Sequence, residues 1–311
     1  MQNAKVRLPE AWSCIDTNTP LLFIGSCFSE NIGNDLIGLK FNAEVNPFGI
    51  TYNPVSAMQQ LIAIADNKKY ASSDLFFHQE LWHSFDHHGC FSHPKQEKVL
   101  EKINASLLSA RNLQDPIILL TFGTGWMWTH NEVTVNNCHK RPAQDFGREL
   151  PDIQYLMKLW RETRKRYPTN KFIVSVSPVR YDDAVANSRG KALLHLFCHE
   201  LEKSGEARYF PSYEILHHEL RDYRYYASDM KHPSEQAIDY IRDTFYQTAC
   251  TQSTQEWIVD LRKLHQRLRH RPLHAETKAA ENFQQQNHRI LAQWIEKFPD
   301  KNWDFEKTLL G

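Results

Sequence analysis

The sequence predicts a three-layer α/β/α sandwich around a mainly parallel sheet, followed by a helical C-terminal extension. Its strongest apolar runs, at 21–24, 117–122 and 172–176, are β-branched or aromatic-rich and unalternated. Strands buried on both faces of a parallel sheet have that character. Segments of helical periodicity separate these runs, and alternation of strand and helix is the mark of an α/β fold. A chain of 311 residues is also long enough to bury a full core of this kind.

The first run stops at Gly25 and turns directly into a helical pattern over 29–39, followed by a weaker strand at 42–45. Asn53 is suited to cap, and Pro54 to open, a helix over 54–65. A helical pattern at 98–113 leads into the second strong strand. Residues 126–135, with Trp126 and Trp128, form a hairpin around His130-Asn131-Glu132, where such folds place active-site loops. Helices are expected at 152–167 and 188–203, and a weak strand at 207–210. Right-handed crossovers then favour a doubly wound, flavodoxin-like sheet of about five parallel strands. From residue 254 the chain is polar and helix-prone, which divides it into a domain at 1–253 and a helical extension at 254–311.

Hydrophobic residues at 41% and charged ones at 24% exclude a disordered or fibrous chain. Lysine plus arginine and aspartate plus glutamate both total 37, so no broad field attracts nucleic acid or an anionic membrane. The basic stretch 262–271 is interleaved with His and Leu and reads as a solvated helix face. The opening MQNAKVRLPEAW lacks a secretory pattern and no run spans a bilayer, so a cytoplasmic protein is expected if that start is native. Six cysteines without CxxC spacing are expected to be free thiols.

Ser26 follows Gly25 at the carboxyl end of the first strand, the edge at which open α/β sheets bind ligands. There its hydroxyl is presented to a ligand, and helix-start N–H groups stabilise a developing oxyanion. On this segment alone, a helix-capping serine is an equally good reading. A serine nucleophile needs a base, and Asp229-Met230-Lys231-His232 supplies a carboxylate and an imidazole three residues apart, just before Pro233 and a helix. About one such D-x-x-H match arises by chance in a chain this rich in histidine, so order and context carry the weight. Cys27 is the rival nucleophile.

Taken in order, Gly25-Ser26-Cys27-Phe28, Asn46-Pro47-Phe48-Gly49, Gly123-Thr124, Asn137-Cys138-His139-Lys140, Ser177-Pro178-Val179-Arg180 and Asp229-Met230-Lys231-His232-Pro233-Ser234 resemble the GSCFA family over roughly 18–250. The arrangement is similar to that of SGNH (GDSL-like) hydrolases. The resemblance implies an SGNH-type sheet, Ser26 as nucleophile with Asp229 and His232 as partners, and the Gly49 and Ser26 N–H groups as oxyanion donors. The third block departs from the pattern: Gly123-Thr124-Gly125 stands where a donating asparagine is usual. Loss of one such donor costs ~10²–10³ in rate, so either Thr124, a backbone N–H such as that of Gly125, or Asn137 substitutes, or activity is modest.

Trp82-His83-Ser84 also resembles a family segment and puts His83 in the pocket wall. The surrounding His78, His87, His88, Cys90 and His93 fit no zinc spacing and read as loop residues without a metal. Asn137, His139, Lys140 and Arg180 are expected to hold a polar or anionic part of the substrate, the alternative being that Lys140 and Arg180 pair with Asp182 and Asp183. The expectation is a cofactor-free serine esterase acting on an acetyl or other short acyl ester of a carbohydrate or small metabolite. Acyl transfer by the same residues and a catalytically weak binding protein are the alternatives.

Overall fold

The computed structural model describes residues 5–10, 12–274 and 276–310. In chain order the elements begin β1 (Leu21–Gly25), α1 (Cys27–Gly38), β2 (Ala43–Val45), α2 (Pro54–Ala65), β3 (Phe76–His78), β4 (Leu81–His83), α3 (Gln96–Asn112) and β5 (Ile117–Phe122). They continue with β6 (Met127–His130), β7 (Val133–Val135), β8 (Gly147–Glu149), α4 (Ile153–Arg166), β9 (Phe172–Val176) and α5 (Ala184–Lys203). Last come β10 (Arg208–Tyr209), α6 (Ser212–Glu214), α7 (Glu235–Ala249), α8 (Gln252–Arg269), α9 (Lys278–Lys297) and α10 (Asp304–Leu309).

Five strands form one sheet in the order β2-β1-β5-β9-β10, every neighbouring pair parallel. By first appearance this is the 2-1-3-4-5 order of the flavodoxin-like fold, whose direction of winding reverses between β1 and β5. Successive strand residues face opposite layers. Leu22, Ile24, Leu120 and Val174 pack with Met58, Ile103, Trp160 and Phe197 from α2 to α5. Leu21, Phe23, Leu119 and Ile173 pack on the other face with Ile32, Phe245 and Leu261 from α1, α7 and α8.

Local capping explains where helices begin. Ser26 accepts the Phe28 N–H, Asn53 the Ser56 N–H and Asp183 the Ala186 N–H. α1 and α5 therefore begin at Cys27 and Ala184, ahead of the expected 29 and 188. The division at 253/254 falls in the first turn of α8, which starts on Thr251 as its cap. The C-terminal helices share the α1-side core through Ile258, Leu264, Leu291 and Trp303. Buried Glu306 joins them to the turn after α1 by accepting from Lys40 at 2.7 Å and meeting His265 at 2.6 Å. Among the described residues no helix is long and apolar enough to cross a membrane.

Between the sheet strands lie two antiparallel units. β6 and β7 form the expected hairpin, with Asn131 and Glu132 at φ 48° and 65°, and β8 adds a third strand. The β3–β4 hairpin was not expected: its turn uses Gln79 and Glu80 at φ 47° and 61°, without the Asn-Gly signal that announces such turns.

Of the loop histidines beside this second hairpin, His87 joins the core, while His88 is half-buried and His93 exposed. His87 is fully buried, stacked on Phe48 at 4.6 Å and edge-on to Tyr70 at 4.7 Å, with Nδ1 3.0 Å from Ser84 Oγ. Burial pulls its pKa down to about 3. The unfolded chain takes up that proton near pH 6.5 while the fold refuses it until about 3, so this contribution to stability is intact above 6.5 and declines as pH falls through that window. His139, pulled down to about 4 by burial, acts in the same direction. Thermal melts of His87→Phe are expected to lose part of the wild-type fall in Tm between pH 6.5 and 4.

Candidate functional site

The end of β1 is built around a close approach of Gly25 to Thr121, its partner in β5. A Cβ on Gly25 would lie 2.3 Å from Thr121 O and 2.4 Å from its Oγ1. The next residue, Ser26, donates its N–H to Thr121 Oγ1 at 3.0 Å and to Thr121 O at 3.2 Å. Its Oγ lies 3.1 Å from Thr121 Oγ1 and accepts the Phe28 N–H at 3.3 Å. Ser26 is thus the cap of α1 as well as the strand-end serine, and it is 0% exposed. Thr121 escaped the sequence reading. Its one signal was a hydroxyl near the end of an otherwise apolar run. Thr121→Val keeps the shape and removes the buried acceptor, at a cost of about 1–3 kcal/mol readable as a lower midpoint in urea.

The Asp229–His232 pair sits on a tight loop before α7. Asp229 Oδ2 meets His232 Nδ1 at 2.6 Å, while Oδ1 accepts the N–H groups of Lys231 at 2.9 Å and His232 at 3.0 Å. These bonds, led by the His232 N–H, hold the Asp229 carboxyl well below the usual carboxylate range. The order they give the loop is therefore kept at neutral pH and lost in strong acid. Arg180 N–H donates to Lys231 O at 3.0 Å, and Lys231 Nζ pairs with Asp182 at 2.6 Å. Ser177 N–H in turn donates to Phe122 O at 2.9 Å. The pair is thus tethered to the carboxyl ends of β9 and β5, the edge that carries Ser26. The hydrogen-bond partners of the Ser26 hydroxyl are Thr121 and Phe28, and His232 is not among them.

Most of the expected oxyanion donors are bonded within the chain. The Ser26 N–H is held by Thr121, the Gly49 N–H by Asn46 O at 2.6 Å and the Thr124 N–H by Tyr52 O at 2.9 Å. Thr124 Oγ1 accepts from Trp126 N–H, and Gly125 lies so close to Gly190 that a Cβ would be 2.8 Å from Gly190 O. Asn46, which the sequence reading placed only in a motif, is 6% exposed and accepts the Gly25 N–H through Oδ1 at 2.8 Å. Its Nδ2 is buried and has no partner among the described residues. Lys191, also unread, is buried with Nζ on Gly123 O and Ser177 O. Burial pushes the Cys27 thiol up, which opposes the thiolate a cysteine nucleophile needs.

The expected substrate residues divide into two places. His83 is buried, with Nδ1 2.6 Å from Ser92 Oγ and Nε2 3.0 Å from His78 O. Buried His139 lies 4.5 Å from it ring to ring and bonds Ser84 O at 2.7 Å. Asn137 accepts the His139 N–H and donates its own to Phe85 O, and Lys140 beside them is exposed. These bonds run among residues 78–92 and 137–139, and none goes to Ser26. Arg180, by contrast, lies beside the Asp229–His232 loop. Its guanidinium covers the Tyr226 ring at 4.6 Å and reaches His217 at 3.3 Å. Asp182 is taken by Lys231 and Asp183 by the start of α5, so the alternative pairing of Arg180 and Lys140 with those carboxylates is not formed. No group of three or more His, Cys, Asp or Glu among the described residues is arranged to hold a metal ion.

No curated protein matches this chain. The profile of the GSCFA family matches residues 20–245, from the start of β1 to the middle of α7. That match spans most of the 311 residues and includes Ser26, Asp229 and His232, and the chain belongs to the GSCFA family.

Proposed function

We propose that this protein is an SGNH-type serine esterase that hydrolyses an acetyl or other short acyl ester of a carbohydrate or small metabolite through a Ser26 acyl-enzyme. Family membership suggests a hydrolase-like function. The observation that carries the finer reading is the 2.6 Å Asp229–His232 pair, tethered to the sheet edge where Ser26 ends β1. Asp229 fixes the proton on Nδ1, which leaves Nε2 as the basic nitrogen.

In the first half-reaction Ser26 Oγ attacks the ester carbonyl while its proton passes to His232. The proton then goes to the leaving alcohol as the acyl–oxygen bond breaks. In the second half, water gives a proton to His232 and attacks the acyl-enzyme, and the proton returns to Ser26 as the carboxylic acid departs. Attack requires the buried Ser26 hydroxyl to exchange Thr121 for His232, so the strand-end loops must open when substrate enters. Asn46 Nδ2 is the unspent donor beside Gly25 and takes the part of the absent third-block asparagine.

A fluorophosphonate probe, with a small dialkyl analogue beside it, tests the reading on native protein by intact mass and peptide mapping. Adduct on Ser26, lost in Ser26→Ala, supports it, and product analysis with added alcohols then separates hydrolysis from acyl transfer. Folded protein that takes neither probe at Ser26 overturns it. That outcome favours the second reading, a binding protein of the same fold, which draws on the full burial of Ser26 and its role as a cap.

A further inference from the structure

Lys191 lies within α5 and is 3% exposed, yet among the described residues it meets no carboxylate. Its ammonium donates to Gly123 O at 2.7 Å and to Ser177 O at 2.6 Å. Taking a lysine out of water without a counter-ion is costly, and a buried cation held only by carbonyls calls for a reason. Its two acceptors are the first residues beyond neighbouring strands β5 and β9. One leads into the Gly123-Thr124-Gly125 segment, whose Gly123 and Thr124 N–H groups hold Tyr52 O. The other leads to Arg180, which bonds the Asp229–His232 loop through Lys231 O.

We propose that Lys191 is a positioning residue of the Ser26 site, clamping the ends of β5 and β9 so that the loop carrying His232 is held in register with the nucleophile. The catalytic half of this inference rests on the esterase reading. The clamp itself does not.

The charge of the clamp is sensitive to pH in a particular direction. Desolvation pulls the Lys191 pKa down to about 7. The titratable groups around it are Cys27 from α1, Tyr213 of α6 with its ring 5.6 Å away, Tyr181 against Gly123, His195 on the same helix and His217. Burial raises Cys27, Tyr181 and Tyr213 and lowers both histidines, so all five are held neutral around pH 7. Lys191 is left as the group that changes charge there. Below about 7 it is an ammonium with three donors, and above it a weaker two-donor amine.

Labelling of Ser26 by the small fluorophosphonate should therefore fall on the alkaline side of about pH 7, where a simple Ser–His site would continue to gain from deprotonation of its base. Lys191→Arg keeps the charge and should abolish that fall. Lys191→Met should slow labelling by ~10²-fold, the size of effect that a misplaced catalytic group produces. Amide hydrogen exchange gives a readout independent of catalysis: Lys191→Met, and wild type at pH 8.5 relative to pH 6 after correction for intrinsic rates, should lose protection at 123–126 and 177–182. Labelled wild type whose rate and pH profile survive both substitutions overturns the proposal. If wild type takes no label, the esterase reading fails. Exchange alone then judges the clamp, with loss of protection confined to the two loops supporting it and unchanged protection overturning it.

Discussion

Replacing His232 with alanine is expected to slow acylation of Ser26 by about 10⁴-fold or more while leaving the fold intact. The magnitude is that of removing the base from a serine–histidine unit that acts as one. The fold survives because the side chain is half exposed and its hydrogen bond, among the described residues, is to Asp229. Asp229→Asn should come close to the same loss, since an amide donating toward Nδ1 would favour the wrong tautomer and leave the imidazolium unsupported. Second-order rates of fluorophosphonate labelling, with circular dichroism to establish folding, measure both. A His232→Ala protein labelled at the wild-type rate would mean that Ser26 is activated by something else or not at all.

Gly25→Ala is expected to cost at least about 3 kcal/mol, because the new methyl meets backbone as well as side chain. At 2.3 Å from Thr121 O, either β1 or β5 must shift, and with it the Ser26 N–H bonds to Thr121. For a protein of this size that corresponds to a fall in Tm of about 5 °C or more, read by thermal melting. Gly205 provides the control. It has φ +73° and open space around the added Cβ, so its alanine variant carries only the left-handed backbone penalty of about 1–2 kcal/mol. Equal melting points for the two variants would show that the β1–β5 contact is not as tight as described.

The central sheet was legible because the information for it is local. Residues 21–24, 117–122 and 172–176 are apolar but for Thr121 and Ser175, and all three became strands of the predicted parallel sheet within one residue of those bounds. Asn53-Pro54 announced α2 for the same reason, since a cap and its helix are adjacent in sequence. The β3–β4 hairpin was missed because its turn places Gln79 and Glu80 in the left-handed region without glycine or asparagine. The burial of His87 beside it was not foreseen because imidazole is read as polar. His87 is instead tolerated in a fully buried aromatic stack by remaining neutral.

By itself the sequence determined the strand-end serine, the D-x-x-H turn with its carboxylate bent back onto the imidazole, and the family. Each of these is a pattern among near neighbours, or several such patterns in a fixed order. Only the tertiary structure decided what surrounds Ser26. Thr121 is set against it by pairing of β1 with β5, the turn that follows β2 brings Asn46 to the N–H of Gly25, and the packing of α5 brings Lys191 to the carbonyls of Gly123 and Ser177 at two strand ends. A hydroxyl, an amide and an ammonium with no local partner look like surface residues in a linear reading. Their roles depend on which backbone groups long-range strand pairing brings within 3 Å, and no local periodicity encodes that.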